Sequence, residues 1–177
     1  TAVEPGVPVV KTKPAAPRDK AVRYDEAKLP VVEAGKSYAA SDIVKGMMKE
    51  FAKDQKIVTV DSDLSSTSGL QEGAILVDKT RALNVGIAES NMMNIGEAFA
   101  SVGKNVWVST FCPFFDWRVM RRIAVSYQER LEAMETEGGW LTEGHGLDLT
   151  FVATAPDMEA QTNGATHMGK DGILFFG

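Results

Sequence analysis

This sequence of 177 residues predicts an α/β fold with a parallel sheet and helices on both faces, and three features predict it. Short apolar runs alternate with stretches of helical periodicity. The runs are short and rich in β-branched residues, as in strands buried on both faces. The residues with chemical character gather where those runs end, which is where parallel sheets bind ligands.

The elements follow in order. Five of the seven prolines fall in the first thirty residues, with Lys11, Lys13, Arg18, Lys20 and Arg23 among them and no periodicity. Residues 1–36 are therefore expected to form a proline-rich linker or extended arm, and residues 37–177 the folded domain. Ile43, Val44, Met47, Met48 and Phe51 recur at helical spacing, with Ser41 as the expected N-cap. Ile57, Val58, Thr59 and Val60 form a strand that empties into the polar loop Asp61, Ser62, Asp63. The stretch on to Gly69 is rich in hydroxyls and has the composition of a turn. A second strand is expected from Ala82 to Val85, and a helix from Ser90 to Val102 that stops before Gly103. Asn105 to Thr110 is the third strand, and a long helix from about Phe115 to Glu137 carries Phe115, Val119, Ile123, Tyr127, Leu131 and Met134 on one face. Leu149 to Thr154 is the fourth strand. The apolar run Ile173 to Phe176 reads as the start of another buried element, so the sequence is expected to be a piece of a longer chain.

Composition bounds the function. With 44% hydrophobic and 24% charged residues the chain has the make-up of one globular domain. A net charge of -5 and a pI near 5.1 lack the basic footprint that nucleic acid or anionic membranes require. A single cysteine, Cys112, forms no internal disulfide, and no apolar run is long enough to span a bilayer, so a cytoplasmic setting is expected.

Four segments carry candidate chemistry. In Arg81-Ala-Leu-Asn-Val-Gly-Ile-Ala-Glu-Ser a strand ends at a glycine and Glu89 stands at the mouth of the next helix; by itself, such an acid complements the helix dipole. After the third strand, Phe111, Phe114 and Trp117 recur every three positions, a spacing that also suits plain core. Asp63 and Leu64 lie in the loop after the first strand, and Thr162-Asn-Gly-Ala-Thr-His places His167 in a glycine-containing loop, a candidate for substrate binding or catalytic proton transfer. Cys112, without a histidine nearby in sequence, reads as a buried inert thiol, and His145 between two glycines carries no motif.

Taken together these segments resemble the thiamine diphosphate enzymes of the transketolase and deoxyxylulose phosphate synthase group, over about Ser41 to Gly172 and most closely from Arg81 to Thr110. The resemblance implies a pyrimidine-binding domain fold. It implies that Glu89, in a Val-Gly-Ile-Ala-Glu element, hydrogen-bonds the aminopyrimidine ring nitrogen, with Ile87 beside it. That bond favours the imino form of the cofactor's own amino group, which removes the thiazolium C2 proton. It also implies that Phe111, Phe114 and Trp117 seat the pyrimidine, that Asp63 and Leu64 lie near cofactor and subunit interface, and that Asn163 and His167 face a sugar substrate. The activity implied is transfer of a two-carbon ketol unit between sugar phosphates.

The sequence departs from the family at the third aromatic position, where Trp117 stands, and at two positions that bear on substrate. Ala155 follows Val152-Ala-Thr where a histidine is usual, and Asn163 stands in place of an aspartate. Both family residues serve sugar hydroxyls, so another thiamine diphosphate enzyme, deoxyxylulose phosphate synthase-like or 2-oxo acid dehydrogenase E1 β-like, is the alternative. A non-catalytic copy kept for assembly is a third reading, against which Glu89 argues. No Gly-Asp-Gly element for Mg2+ and the diphosphate occurs in the sequence. The resemblance therefore implies a homodimer or a complementary diphosphate-binding subunit, with Mg2+ bound mainly outside this chain.

Overall fold

All five residues of β1 (Ile57–Asp61) are buried, and successive side chains go to opposite faces of the sheet. Ile57 joins one apolar cluster with Met48, Leu70 and Ala74, whereas Val58 and Val60 join another with Met92, Met93, Val106, Val108 and Phe115. A strand with two apolar faces needs helices on both, and the computed structural model, which describes residues 21–135, 147–155 and 164–167, has them. On one face lie α1 (Ala40–Phe51), the short α2 (Ser65–Ser68) and α3 (Leu70–Ile75). On the other lie α4 (Glu89–Ser101) and α5 (Trp117–Glu135).

With β2 (Ala82–Asn84), β3 (Asn105–Phe111) and β4 (Leu149–Thr154), β1 forms a sheet in the order β2-β1-β3-β4, all parallel. The chain leaves β1 for β2 on one side and returns to β3 on the other. The order thus reverses at β1, and a crevice opens at the carboxyl ends of its neighbours. The register sets Asp61 opposite Asn84 of β2 and Ser109 of β3.

The strands and the α/β class are as the sequence predicts, and three details differ. Ser41 lies inside α1, whose N-cap is Ala39: its carbonyl already accepts from Asp42 and Ile43. α5 starts at Trp117, because Asp116 caps it by accepting from the Val119 N–H at 3.1 Å; Phe115 turns inward and is buried. The hydroxyl-rich stretch expected as a turn folds into α2 and continues into α3, whose Leu70, Gln71 and Ala74 are buried. Residues 1–20 of the expected arm lie outside the described residues, and 21–36 carry one short 3-10 turn, Glu26–Lys28. That part is tied to the domain by Arg23 N–H to Asp54 Oδ2 at 2.9 Å and Asp25 N–H to Glu50 Oε1 at 3.1 Å.

Arg81 fastens the entry to β1. Its guanidinium donates to the carbonyls of Ala52, Asp54 and Ile57 at 2.8 to 2.9 Å while Nε pairs with Asp78 at 2.9 Å. One side chain thus satisfies backbone acceptors from the end of α1 and the start of β1. No helix among the described residues is long and apolar enough to cross a membrane.

α1 and α3 touch through glycine. A Cβ on Gly73 would lie 2.5 Å from the Lys45 carbonyl oxygen and 2.9 Å from Met48 Cβ, so the helices would have to separate. Gly73→Ala is therefore expected to destabilise the domain by about 1–3 kcal/mol despite the better helix propensity of alanine, read as a lower midpoint in urea unfolding. A midpoint at or above wild type would contradict this packing.

Candidate functional site

The candidate site is built where β1, β2 and β3 end. Beyond β2 the chain turns through Gly86, which has φ 71, with the Gly86 N–H bonded to Asn84 Oδ1 at 2.9 Å. Ser62, just after β1, reaches across to this turn: its hydroxyl donates to the Gly86 carbonyl at 2.9 Å and accepts from the Ala88 N–H at 3.1 Å. Ala88 is the N-cap of α4, and Glu89 is its first residue. A carboxylate there gains from the helix dipole.

Glu89 is half-buried, and its Oε1 accepts from the Thr110 hydroxyl at 3.3 Å, so the acid from the β2–α4 turn meets the end of β3. It lines a cavity of about 450 Å3 together with Asn91, Phe114, Asp116 and Arg118. Arg118 pairs with Asp116 at 2.7 Å. Burial opposes ionisation of Asp116, but Arg118 and the Val119 N–H outweigh it and hold the carboxyl below its ordinary range.

Beside Glu89 an aromatic group closes the end of β3. Phe111 and Phe114 meet edge to face with centroids 5.9 Å apart, and the His167 ring packs edge-on at 5.6 Å from the first and 5.2 Å from the second. His167 ends the 3-10 turn Ala165–His167, with Nδ1 2.9 Å from the Thr166 hydroxyl. A carboxylate, a hydroxyl and apolar rings in one crevice can hold a flat heteroaromatic group by its faces and bond a protonable ring nitrogen at its edge.

Of the site residues expected from sequence, Glu89, Phe111, Phe114 and His167 are thus brought together. Asp63 and Leu64 sit at the neighbouring strand end: Asp63 is exposed at φ 62, and Leu64 N–H is bonded to Asp61 Oδ1. Ile87 is 83% exposed. Trp117 is 58% exposed and lines a second, apolar cavity with Met120, Tyr127 and Phe151. Asn163 and His145 lie outside the described residues. Ala155 follows β4 at φ 49, and Cys112 is buried.

Ser62 and Asn84 are not singled out by the sequence. Asn84 had a readable signal, an Asn two residues before a glycine. The bonds of Ser62 join segments 24 and 26 residues away, and nothing local announces them.

Residues 39–176 match the family model for the transketolase pyrimidine-binding domain. The chain is 28% identical over 133 residues to the 6-deoxy-6-sulfo-D-fructose transketolase subunit SqwH of Clostridium sp. (strain MSTE9), an alignment covering 75% of this chain and 36% of that protein. It is also 28% identical over 137 residues to a putative transketolase C-terminal section of Methanocaldococcus jannaschii, covering 67% and 42%. The chain therefore spans well under half the length of these relatives. Among solved structures, transketolase from Campylobacter jejuni aligns with TM-score 0.54 at 20% identity, covering 88% of this chain and 21% of that one. A transketolase complex with sedoheptulose-7-phosphate from Pichia stipitis aligns with TM-score 0.59 at 20% identity, covering 85% and 22%. The fold is that of the pyrimidine domain in these proteins.

Beneath the site lies a buried carboxyl. Asp61 is 0% exposed; its Oδ2 and the Thr59 hydroxyl have no hydrogen-bond partner among the described residues. Burial pushes the Asp61 carboxyl up from its usual 3.8 to about 6, against the pull of the Leu64 N–H and the Ser68 hydroxyl. Between these pH values the folded chain keeps a proton that the unfolded chain has released, so stability falls as pH rises from about 4 to 6 and is flat above. A two-unit shift corresponds to about 3 kcal/mol. Asp61→Asn keeps Oδ1 as an acceptor and removes the buried charge. The variant is expected to be more stable than wild type at pH 7.5 by up to about 3 kcal/mol, the gain vanishing by about pH 4. Urea unfolding of both proteins across this range measures the difference, and a pH-independent difference would contradict the assignment.

Proposed function

This chain belongs to the transketolase pyrimidine-binding domain family, and from that premise we propose that it supplies the pyrimidine-holding half of a thiamine diphosphate site. The whole protein is a transketolase-like transferase moving a two-carbon ketol unit between sugar phosphates. The observation that carries this reading is the placement of Glu89 at the mouth of α4, half-buried, bonded to the Thr110 hydroxyl at 3.3 Å and flanked by Phe114 across a cavity. These residues fit the cofactor's aminopyrimidine: an acid for a ring nitrogen and aromatic edges for the ring.

When bound, the cofactor supplies a thiazolium carbon acidic enough to become a nucleophile toward a ketose carbonyl. The work of this chain is to hold it. Glu89 would keep a proton at the pyrimidine nitrogen, with the Thr110 hydroxyl, at 3.3 Å, a weak partner of its carboxylate. Phe111, Phe114 and Ile87 pack against the ring and keep water from the acid, with Trp117 proposed as a further contact and Asp63 and Leu64 at the edge toward the second half. His167, set against both phenylalanines, faces the substrate with Asn163.

Mg2+ and the diphosphate are held by a second domain, on a homodimer partner or a complementary subunit. The absence of a Gly-Asp-Gly element from the sequence supports this, as do relatives described as a subunit and as a C-terminal section. Ala155 favours one second reading. Its methyl, at φ 49 just beyond β4, offers a sugar hydroxyl no hydrogen bond. The same cofactor half would then serve a 2-oxo acid donor, as in deoxyxylulose phosphate synthase or a 2-oxo acid dehydrogenase. Activity with pyruvate or other 2-oxo acids, and none with ketose phosphates, would select it.

Glu89→Ala in the full protein is expected to lower thiamine diphosphate-dependent turnover by roughly 100-fold or more, within the range of a lost acid–base group. The melting temperature of the cofactor-free protein should hardly move. Turnover unchanged from wild type would refute the role of Glu89.

A further inference from the structure

We propose that Ser62 is the residue that positions Glu89, acting through the turn between β2 and α4 rather than by touching cofactor. The inference rests on the proposed role of Glu89. Ser62 is 2% exposed, and its own backbone is fixed by an N–H bond to the Ser109 carbonyl at 3.2 Å. Its hydroxyl spans the turn, donating to the Gly86 carbonyl at 2.9 Å and accepting from the Ala88 N–H at 3.1 Å. A serine hydroxyl has one proton and two lone pairs, so both bonds are made at once.

Val85 N–H and Gly86 N–H hold the start of the turn through the Asp61 carbonyl and Asn84 Oδ1, and beyond them the stretch that leads to Glu89 has little else to hold it. Gly86 adopts φ 71 with nothing within 4 Å of the place a Cβ would take, and Ile87 is 83% exposed, so packing does not fix this stretch. Ala88 opens α4 at φ -153 and ψ 66, with its carbonyl accepting from Met92 N–H at 2.9 Å, yet it has no side-chain cap of its own. A helix start needs outside partners for its backbone groups, and Ser62 is the one that reaches Ala88. Glu89 follows directly. Its bond to Thr110, at 3.3 Å, is longer than the common range and orients the carboxylate weakly. Where the carboxylate sits therefore follows from where Ala88 sits. A misplacement of about 1 Å at a catalytic group costs on the order of 100-fold in rate.

The test uses the protein assembled with its diphosphate-binding half and three variants, Ser62→Ala, Ser62→Cys and Glu89→Gln. Cysteine fills the serine's space but bonds poorly, which separates hydrogen bonding from packing. The readouts are backbone amide exchange at Ala88 without cofactor, hydrogen–deuterium exchange at C2 of bound thiamine diphosphate, and the melting temperature. In wild type the Ala88 amide should be protected, and in both Ser62 variants it should exchange at least tenfold faster. C2 exchange should slow roughly ten- to a hundredfold in both, with melting within a few degrees of wild type. Wild-type C2 exchange in both Ser62 variants, beside loss in Glu89→Gln, would overturn the proposal. So would wild-type behaviour of Ser62→Cys beside failure of Ser62→Ala, which marks packing alone. If Glu89→Gln keeps wild-type exchange, the role of Glu89 itself fails and this inference falls with it. Should neither Ser62 variant fold, an Ala88 amide in wild type that exchanges as fast as an open loop would still overturn it.

Discussion

The carboxyl end of β1 is the constraint on which the site depends. β1 lies between β2 and β3, and at its last residue the backbone of Asp61 accepts from Val85 N–H at 3.0 Å while the next residue donates to Ser109 at 3.2 Å. Three strand ends are thereby locked to one another at the level of the crevice. Side chains then extend what the backbone begins. Asp61 caps its own loop through Leu64, and Ser62 caps the loop after β2. The two adjacent residues point to opposite sides and so serve different loops.

This arrangement places polar groups where a parallel sheet is normally apolar. Thr59 and Ser109 are fully buried beside Asp61, and the Thr59 hydroxyl and Asp61 Oδ2 lack partners among the described residues. Each such group costs about 1–3 kcal/mol when left unpaired, and a stable core would place valine at all three. The apolar alternative was available, since Val58, Val60, Val106 and Val108 occupy the other face of the same strands. Backbone conformation shows a similar pattern: Asp63, Gly86 and Ala155 all have positive φ, and they follow β1, β2 and β4. Two of the three carry side chains that disfavour that region. Polar burial and backbone strain thus concentrate at the end of the sheet that holds Glu89.

The sequence made the strands legible because a strand buried on two faces is a short, unmistakable apolar run, and β1 and β4 begin and end within a residue of where that pattern puts them. α1 and α4 were legible for the same reason at helical period. α2 and α3 were not: Ser65 to Gly69 has turn composition, and its helical state depends on Gly69 and Gly73 lying against α1, a contact distant in sequence. Glu89, Phe111, Phe114 and His167 are legible as candidates because each sits in a local motif that follows a strand. The supporting side chains could not, since Ser62 and Arg81 act on backbone 24 or more residues away. The periodic aromatic spacing misses another kind of information. Phe111 and Phe114 precede the helix cap at Asp116, whereas Trp117 begins α5 and takes its direction from the helix. One spacing therefore spans two local geometries.

On the proposed reading, the apolar surface around Glu89 bears on why the cofactor site would be divided between two halves. Ile87 is exposed, Phe111 and Phe114 are half-buried, and the adjoining cavity is open. An acid that shares a proton with a ring nitrogen does so more strongly when water is excluded, because charge–dipole interactions strengthen as the local dielectric falls. On the proposed reading, the ring covers one side of Glu89 and a second protein surface covers the rest. Exposed Ile87, packed by the ring, is then where this covering would gain most, since burying an isoleucine side chain is worth about 1.5–3 kcal/mol. Assembly with the diphosphate half would thus complete the cofactor site and desolvate its acid in one step. An unassembled chain would have the acid in position but still in contact with water. A rigid strand end suits that division, because a preformed half-site requires little reordering when its counterpart arrives.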